Sequence, residues 1–209
     1  MSTPQAYHPP IFMYLIWGSL IVAMVVSVSL QLWAVLFSSL VTLALSLYSI
    51  HLCRTIDFHV PNELITGVVI FIYGTIFLGE AANFYEEFWW WDILMHSGSA
   101  LGFGLIGVIV LVYIFGRRKV TTHPSMLALF SFAFALAIGA LWEIFEFGVD
   151  QLFGTNMQKS GLVDTMLDLI VDAGGAVVAA VAGYFYASRR LELFAPVAEL
   201  IDEAVEKSQ

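Results

Sequence analysis

Long apolar stretches separated by short polar connections dominate this sequence. Six of them reach the roughly 20 residues that a helix needs to cross a hydrocarbon core of about 30 Å. The pattern predicts membrane-spanning helices at about 11–30, 33–52, 92–115 and 162–187. A third span begins after Pro61-Asn62 and reaches about Gly79, and a fifth begins after His123-Pro124 and reaches about Phe153, because both dipeptides are typical of helix starts.

The composition agrees with this pattern. Hydrophobic residues make up 60% of the 209-residue chain and charged residues only 12%, with a mean hydropathy of +0.86. A soluble domain of this size needs far less apolar sequence. We therefore expect an all-α fold, a polytopic membrane helical bundle with six transmembrane helices in residues 1–190. Residues 191–209 are expected to form a short cytoplasmic amphipathic tail, with Phe194, Val197, Leu200, Ile201 and Val205 on one face.

The basic residues predict the orientation of the bundle. If the helices alternate in direction, seven of the eight fall on one side of the membrane: Arg54, Arg117, Arg118, Lys119, Arg189, Arg190 and Lys207. Lys159 falls on the other side. Because lysine and arginine favour cytoplasmic loops, both termini should lie inside and the third-to-fourth and fifth-to-sixth connections outside. The net charge of -9 and the absence of a basic patch argue against a nucleic-acid partner.

Ionisable residues concentrate at one end of the later helices. In the fifth span, Glu143, Glu146 and Asp150 are spaced i, i+3 and i+7, and therefore share one helix face. The sixth span carries an acidic stripe at i, i+4 and i+8, and the fourth carries Asp92 with His96 at i+4. With alternating helices, all of these groups fall in the outer half of the membrane. Since each carboxylate costs about 2.5–3.5 kcal/mol at mid-membrane on insertion scales, the stripes should face protein, water or a cation.

A shared polar site follows from this convergence, formed by Asp92, His96, Glu143, Glu146, Asp168 and Asp172. Carboxylates with one imidazole are ligands for magnesium, calcium, manganese, zinc or iron. We expect His96, Glu143, Glu146 and Asp168 to hold a divalent cation whose identity stays open. Asp92 and Asp172 are candidate general bases. Taken singly, a residue such as Asp164 also fits an ordinary helix N-cap.

Several short motifs resemble a known family. They are Asp92-x-x-x-His96 followed by Gly98, Trp142-Glu143-x-x-Glu146, Gly154-Thr155, and Asp164-Thr165-x-x-Asp168. In type and order they resemble the YjdF-like bacterial inner-membrane proteins (domain of unknown function 2238), over roughly residues 62–186, and more distantly the VanZ-like membrane proteins. Trp142 stands where the family often has tyrosine, the loop reads Gly-Thr-Asn-Met-Gln, and Asp172 has no counterpart in the family pattern. The resemblance implies the bacterial cytoplasmic membrane and supports the polar site, but it implies no activity.

Three functions remain open from the sequence. The first is a metal-dependent enzyme at the outer leaflet, acting on a lipid-linked or phosphorylated amphiphile. The second is a proton- or cation-coupled transporter, since intramembrane carboxylates also serve such pathways. The third is an accessory structural subunit whose polar cluster holds helices together. Membrane lipid is the expected partner in each case, and protein partners are not predicted.

Overall fold

The computed structural model describes residues 9–55, 60–117, 123–188 and 202. These residues are helical almost throughout, and no strand occurs among them. The helices are α1 (Ile11–Leu30), α2 (Trp33–Thr55), α3 (Asn62–Ile72), α4 (Phe84–Glu87), α5 (Trp89–Arg117), α6 (Pro124–Phe153) and α7 (Leu162–Ala187), with a π-helical segment (Tyr73–Ala81) that continues α3. The prediction of an all-α fold is confirmed.

Six helical stretches are long and apolar enough to cross a membrane: Ile11–Leu30, Trp33–Cys53, Asn62–Ala81, Trp89–Ile114, Pro124–Phe153 and Leu162–Ala187. They match the six predicted spans, with the fourth beginning three residues earlier than Asp92 and the third ending two residues beyond Gly79. The protein is therefore a multi-pass membrane protein. Its predicted amphipathic tail at 191–209 lies outside the described residues except for Asp202.

The described residues up to Trp91 form one compact unit, and those from Asp92 onward form a second. In the first unit, α2 packs against α1, α3 and the π-helical segment. Ile50, Val60 and Ile65 form a small buried cluster, against which the Trp17 ring packs. The hydroxyls of Ser19 and Tyr73 lie 3.0 Å apart and join α1 to the π-helical segment.

The second unit contains α5, α6 and α7. Residues 154–161 connect α6 to α7, and these two helices pack closely against each other. The Ser131 hydroxyl of α6 donates to the Gly104 carbonyl of α5 at 2.9 Å, and both oxygen atoms are buried. This bond satisfies a polar group inside an otherwise apolar interface.

Small residues allow α5 and α7 to approach closely. A Cβ on Gly175 would overlap the Ser97 carbonyl oxygen and lie 3.1 Å from the Ala100 methyl. One turn further along α5, a Cβ on Gly104 would overlap the Ala179 methyl. Small residues at four-residue spacing are the usual means by which membrane helices bring their backbones together.

The close approach uses some, but not all, of the small residues in two conspicuous runs of the sequence. The run from Gly98 to Gly102 and the pair Gly174-Gly175 predict tight packing of these helices. In the structure, a Cβ on Gly98, Gly102 or Gly174 would meet nothing within 4 Å. Gly175 and Ala100 of these runs make the contact, together with Gly104, because the rotation of each helix about its axis decides which of its small residues face the neighbour.

Candidate functional site

Helix α7 carries the acidic stripe of the second unit. Asp164, Asp168 and Asp172 lie at successive turns, as their spacing predicts. Asp168 is 6% exposed and Asp172 is fully buried, whereas Asp164 is only partly buried in the first turn of the helix. A carboxylate is favoured in a first turn, so Asp164 has a local explanation. The two deeper residues do not, since a buried carboxylate costs free energy unless it is paired.

His96 of α5 stands at the centre of the charged cluster. Its side chain is 11% exposed. The Nδ1 atom lies 3.3 Å from Oδ1 of Asp172, while the Nε2 atom lies 3.8 Å from Oδ1 of Asp92 and 3.9 Å from Oδ2 of Asp168. The imidazole therefore bridges α5 and α7, with one carboxylate at Nδ1 and two at Nε2.

Asp92, His96 and Asp168 form a group that could hold a metal ion. One ligand atom from each can be chosen so that all three lie within 4.8 Å of one another. Two ligands about 2.0–2.1 Å from a tetrahedral metal lie about 3.3 Å apart, so the 3.8 and 3.9 Å separations of Nε2 of His96 from the two carboxylates exceed that value by about half an ångström. Small side-chain rotations would close this difference, and the donor set of two carboxylates and one imidazole fits a divalent cation.

Asp172 lies on the opposite edge of the imidazole from this group. Its Oδ1 atom faces Nδ1 of His96, and its Oδ2 atom has no hydrogen-bond partner among the described residues. Gly139 of α6 leaves the space that the carboxylate fills, because a Cβ there would overlap Oδ2 and lie 2.8 Å from Cγ. The sequence pattern did not single out Gly139. The one feature that could have indicated a close approach there is the cluster of small residues Ala137, Gly139 and Ala140.

Glu143 and Glu146 have separate environments although both lie on α6. Glu143 is 4% exposed, and neither of its carboxylate oxygens has a hydrogen-bond partner among the described residues. Oε1 of Glu146 accepts a 2.8 Å bond from Nε1 of Trp142 on the exposed side of the helix. The ligand group of Asp92, His96 and Asp168 includes neither glutamate, so their metal-binding role stays a prediction.

Asp150 anchors the connection between α6 and α7. It accepts hydrogen bonds from the Thr155 hydroxyl at 2.6 Å, the Met157 amide at 2.8 Å and the Gln158 amide at 2.9 Å. Gly154 ends α6 with a φ of 67°, a left-handed conformation that glycine adopts without strain. Asp150 therefore holds the loop, which explains a carboxylate that the sequence pattern alone grouped with Glu143 and Glu146.

A groove of about 690 Å³ runs between α6, the connection and α7. Its walls are formed by Ala140, Glu143, Ile144, Phe147, Asp150, Gln151, Thr155, Asn156, Gln158, Gly161, Leu162, Thr165 and Leu169. Glu143 is the one residue of the predicted polar site that lines it. The Gln158 amide donates to the Thr165 hydroxyl at 2.6 Å, which ties the loop to the first turns of α7.

Comparisons with known proteins place these features in a family. The family described as "Predicted membrane protein (DUF2238)" matches residues 11–189. An uncharacterized protein from Thermotoga maritima is 31% identical over 121 residues, which cover 54% of this chain and 57% of that relative. No solved structure matches the chain. The resemblance to the domain of unknown function 2238 is confirmed, while that to VanZ-like proteins stays a prediction. The chain belongs to the DUF2238 family of membrane proteins.

Proposed function

We propose that this protein binds a divalent cation within its second helical unit, through Asp92, His96 and Asp168. The observation that carries the proposal is the convergence of one ligand atom from each residue within 4.8 Å. Asp92 thereby moves from the predicted catalytic residues to the ligands. The two carboxylates balance the charge of a divalent cation, and the neutral imidazole supplies a third ligand atom.

The position of Asp172 supports this assignment. Metal-binding histidines usually donate the N–H of their second nitrogen to a carboxylate or carbonyl, which fixes the tautomer and the ring orientation. A bond from Nδ1 of His96 to Asp172 leaves the lone pair of Nε2 directed at Asp92 and Asp168. We therefore assign Asp172 a positioning role rather than that of a general base.

Catalysis is a further step in the proposal. Three protein ligands leave coordination positions for water or substrate, and a bound cation of this kind supplies Lewis acidity or an activated water. This donor set suits hydrolysis of a lipid-linked or phosphorylated amphiphile, the substrate class predicted from the sequence. The outer-leaflet location and the orientation of the bundle belong to the same proposal, supported by the distribution of basic residues.

A structural cluster is the second candidate function. If Nε2 of His96 carries a proton, the imidazolium faces three carboxylates within 3.9 Å and links α5 to α7 without a metal. Such a cluster would be strongly destabilised by loss of one partner, because an unpaired charge would remain buried. It differs from the metal site in requiring no cation.

Metal content measured by mass spectrometry distinguishes the two functions. The protein is purified without chelator, incubated separately with Zn²⁺, Mn²⁺, Mg²⁺ and Ca²⁺, and passed through a desalting column. Wild type should retain one cation per chain, and Asp168→Asn should lower the affinity by more than about 100-fold, above the range of about 10–100-fold for outer-shell changes. Asp164→Asn is the matched control, one turn away on α7, and should retain the cation.

Two results would refute the cation site. One is a folded wild-type protein, monodisperse by size exclusion, that retains none of the four cations. The other is an equal loss of cation from the Asp164 and Asp168 variants, which would show a general charge effect. Glu143→Gln and Glu146→Gln belong in the same series, because loss of metal from either would restore that glutamate to the ligand set.

A further inference from the structure

The groove beside α6 and α7 contains a buried acidic group that the cation site does not use. Asp92, His96 and Asp168 do not line the groove, whereas Glu143 does. The backbone and side chain of Glu143 together are 4% exposed, and both carboxylate oxygens lack hydrogen-bond partners among the described residues. A buried acceptor without a partner costs about 1–3 kcal/mol, and more when it is charged. A ligand that supplies donors at this point would remove that cost.

The walls of the groove indicate the charge of such a ligand. Among the described residues that line the groove, there is no lysine or arginine. Besides Glu143, the lining contains one acidic residue, Asp150, which already accepts three hydrogen bonds. The remaining polar walls are neutral amides and hydroxyls. An anionic head would be repelled by Glu143 and would leave its own charge uncompensated. An ammonium group instead supplies both the positive charge and the N–H donors that a desolvated carboxylate requires.

Apolar side chains indicate the body of the ligand. Ile144, Phe147 and Leu162 line the groove and are each more than half exposed. A volume of about 690 Å³ lies within the range of about 300–1,000 Å³ typical of small-molecule sites. Because α6 and α7 are candidate membrane spans, an aliphatic chain can reach these walls from the lipid phase without crossing water.

We propose that the groove binds an amphiphile with a primary ammonium head, drawn from the membrane, whose head pairs with Glu143 and whose aliphatic chain lies along Ile144, Phe147 and Leu162. The three residues of the proposed cation site do not line this groove. The ligand class differs from the phosphorylated amphiphile predicted from the sequence, because Glu143 disfavours an anionic head in this groove.

Native mass spectrometry of the full chain in phosphatidylcholine nanodiscs tests the proposal, since that lipid carries no N–H donor. The probes are dodecylamine, dodecanol, dodecanoic acid and the short amine butylamine. Dodecylamine should bind one per chain, at least about 10-fold more tightly than the other three. Glu143→Gln should weaken its binding about 10-fold or more. Asp164→Asn is the matched control, an acidic residue of α7 outside the groove, and should bind as wild type does.

A second variant keeps the test informative if Glu143→Gln does not fold. Ala140→Phe fills the groove beside Glu143 while keeping the carboxylate, and it should also exclude dodecylamine. Equal binding of amine, alcohol and acid would overturn the proposal, as would dodecylamine binding that both variants leave unchanged. Binding of butylamine as tight as that of dodecylamine would overturn the amphiphile assignment.

Metal content measured on the same samples separates this proposal from the cation site. Retention of the cation by Glu143→Gln, together with loss of amine binding, supports two separate sites. Loss of the cation from Glu143→Gln would instead make Glu143 a metal ligand and would overturn the groove assignment. Absence of metal from wild type with intact amine binding would refute only the cation site.

Discussion

Replacement of Gly139 by alanine should damage the cluster without touching any of its charged groups. The new Cβ would overlap Oδ2 of Asp172 and lie 2.8 Å from its Cγ atom. Asp172 would have to rotate away, and its 3.3 Å contact with Nδ1 of His96 would be lost. Alanine gains about 1 kcal/mol over glycine in a helix interior, whereas overpacking of a tight site costs about 1–3 kcal/mol. The net change should therefore lie between about zero and 2 kcal/mol of destabilisation.

The effect on cation binding should be larger than the effect on stability. A displaced Asp172 no longer fixes the orientation of His96, and loss of such an outer-shell partner typically lowers metal affinity about 10–100-fold. The assays are cation titration of the purified protein and its apparent unfolding temperature at one fixed scan rate, because membrane proteins often unfold irreversibly. Gly148→Ala is the matched control on the same helix, since a Cβ there meets nothing within 4 Å. It should be neutral or slightly stabilising.

A double-mutant cycle shows whether the Gly139 effect passes through Asp172. In an Asp172→Ala background the carboxylate that collides with the new methyl is absent. Gly139→Ala should then cost nothing further, giving a coupling energy close to the whole single-mutant effect. The reasoning fails if Gly139→Ala behaves like Gly148→Ala, or if its cost persists unchanged in the Asp172→Ala background.

Two further predictions concern the framework around the site. Gly175→Ala should force α5 and α7 apart, because its Cβ would overlap the Ser97 carbonyl oxygen. The variant should have an unfolding free energy lower by about 1–3 kcal/mol, and it should retain less metal per chain than wild type does. Gly174→Ala should change neither in the same two assays, and equal behaviour of the pair would contradict the packing. Asp150→Ala should speed proteolysis of the 154–161 connection, since three donors lose their acceptor, yet leave metal content unchanged. Unaltered cleavage would show that Asp150 does not hold the loop.

The sequence predicted the helices and the faces of α7 well because both depend on local periodicity. Hydropathy over about 20 residues locates a span whatever its neighbours are. The i, i+4 and i+8 spacing places Asp164, Asp168 and Asp172 on one face in any α-helix. Alternation of helix direction was enough to predict that His96 and Asp168 would lie at one end of the bundle. Their contact in the second unit agrees with that expectation.

The division of roles on α6 could not be predicted in the same way. Positions i and i+3 differ by about 60° around the helix, so Glu143 and Glu146 share a broad face. In the structure Glu143 is buried, whereas Glu146 accepts a hydrogen bond from Trp142. Which of two such neighbours turns inward depends on the rotation of the helix, and α6 is apolar over most of its circumference. Periodicity gives little information about rotation in a helix of this kind.

The role of Asp150 depends on loop geometry, which leaves a weak trace in the sequence. Three donors from 155–158 reach its carboxylate, and the glycines at the two ends of the connection, Gly154 and Gly161, adopt positive φ, at 67° and 66°. The sequence contains both glycines and predicts a connection there. It does not predict that the chain turns back onto the last turn of α6. Bonds at Asp150 and the bond between Gln158 and Thr165 hold this connection.

The geometry around His96 makes the two functions of the cluster mutually exclusive. A cation needs the lone pair of Nε2, whereas an imidazolium cluster needs a proton on the same atom. Asp172 accepts from Nδ1 in both states, so its presence does not distinguish them. What differs is the balance of charge, because a protonated His96 offers one positive charge to Asp92, Asp168 and Asp172, all within 3.9 Å. A divalent cation offers two and coordinates the carboxylates directly, which is why we favour the metal site in so apolar a bundle.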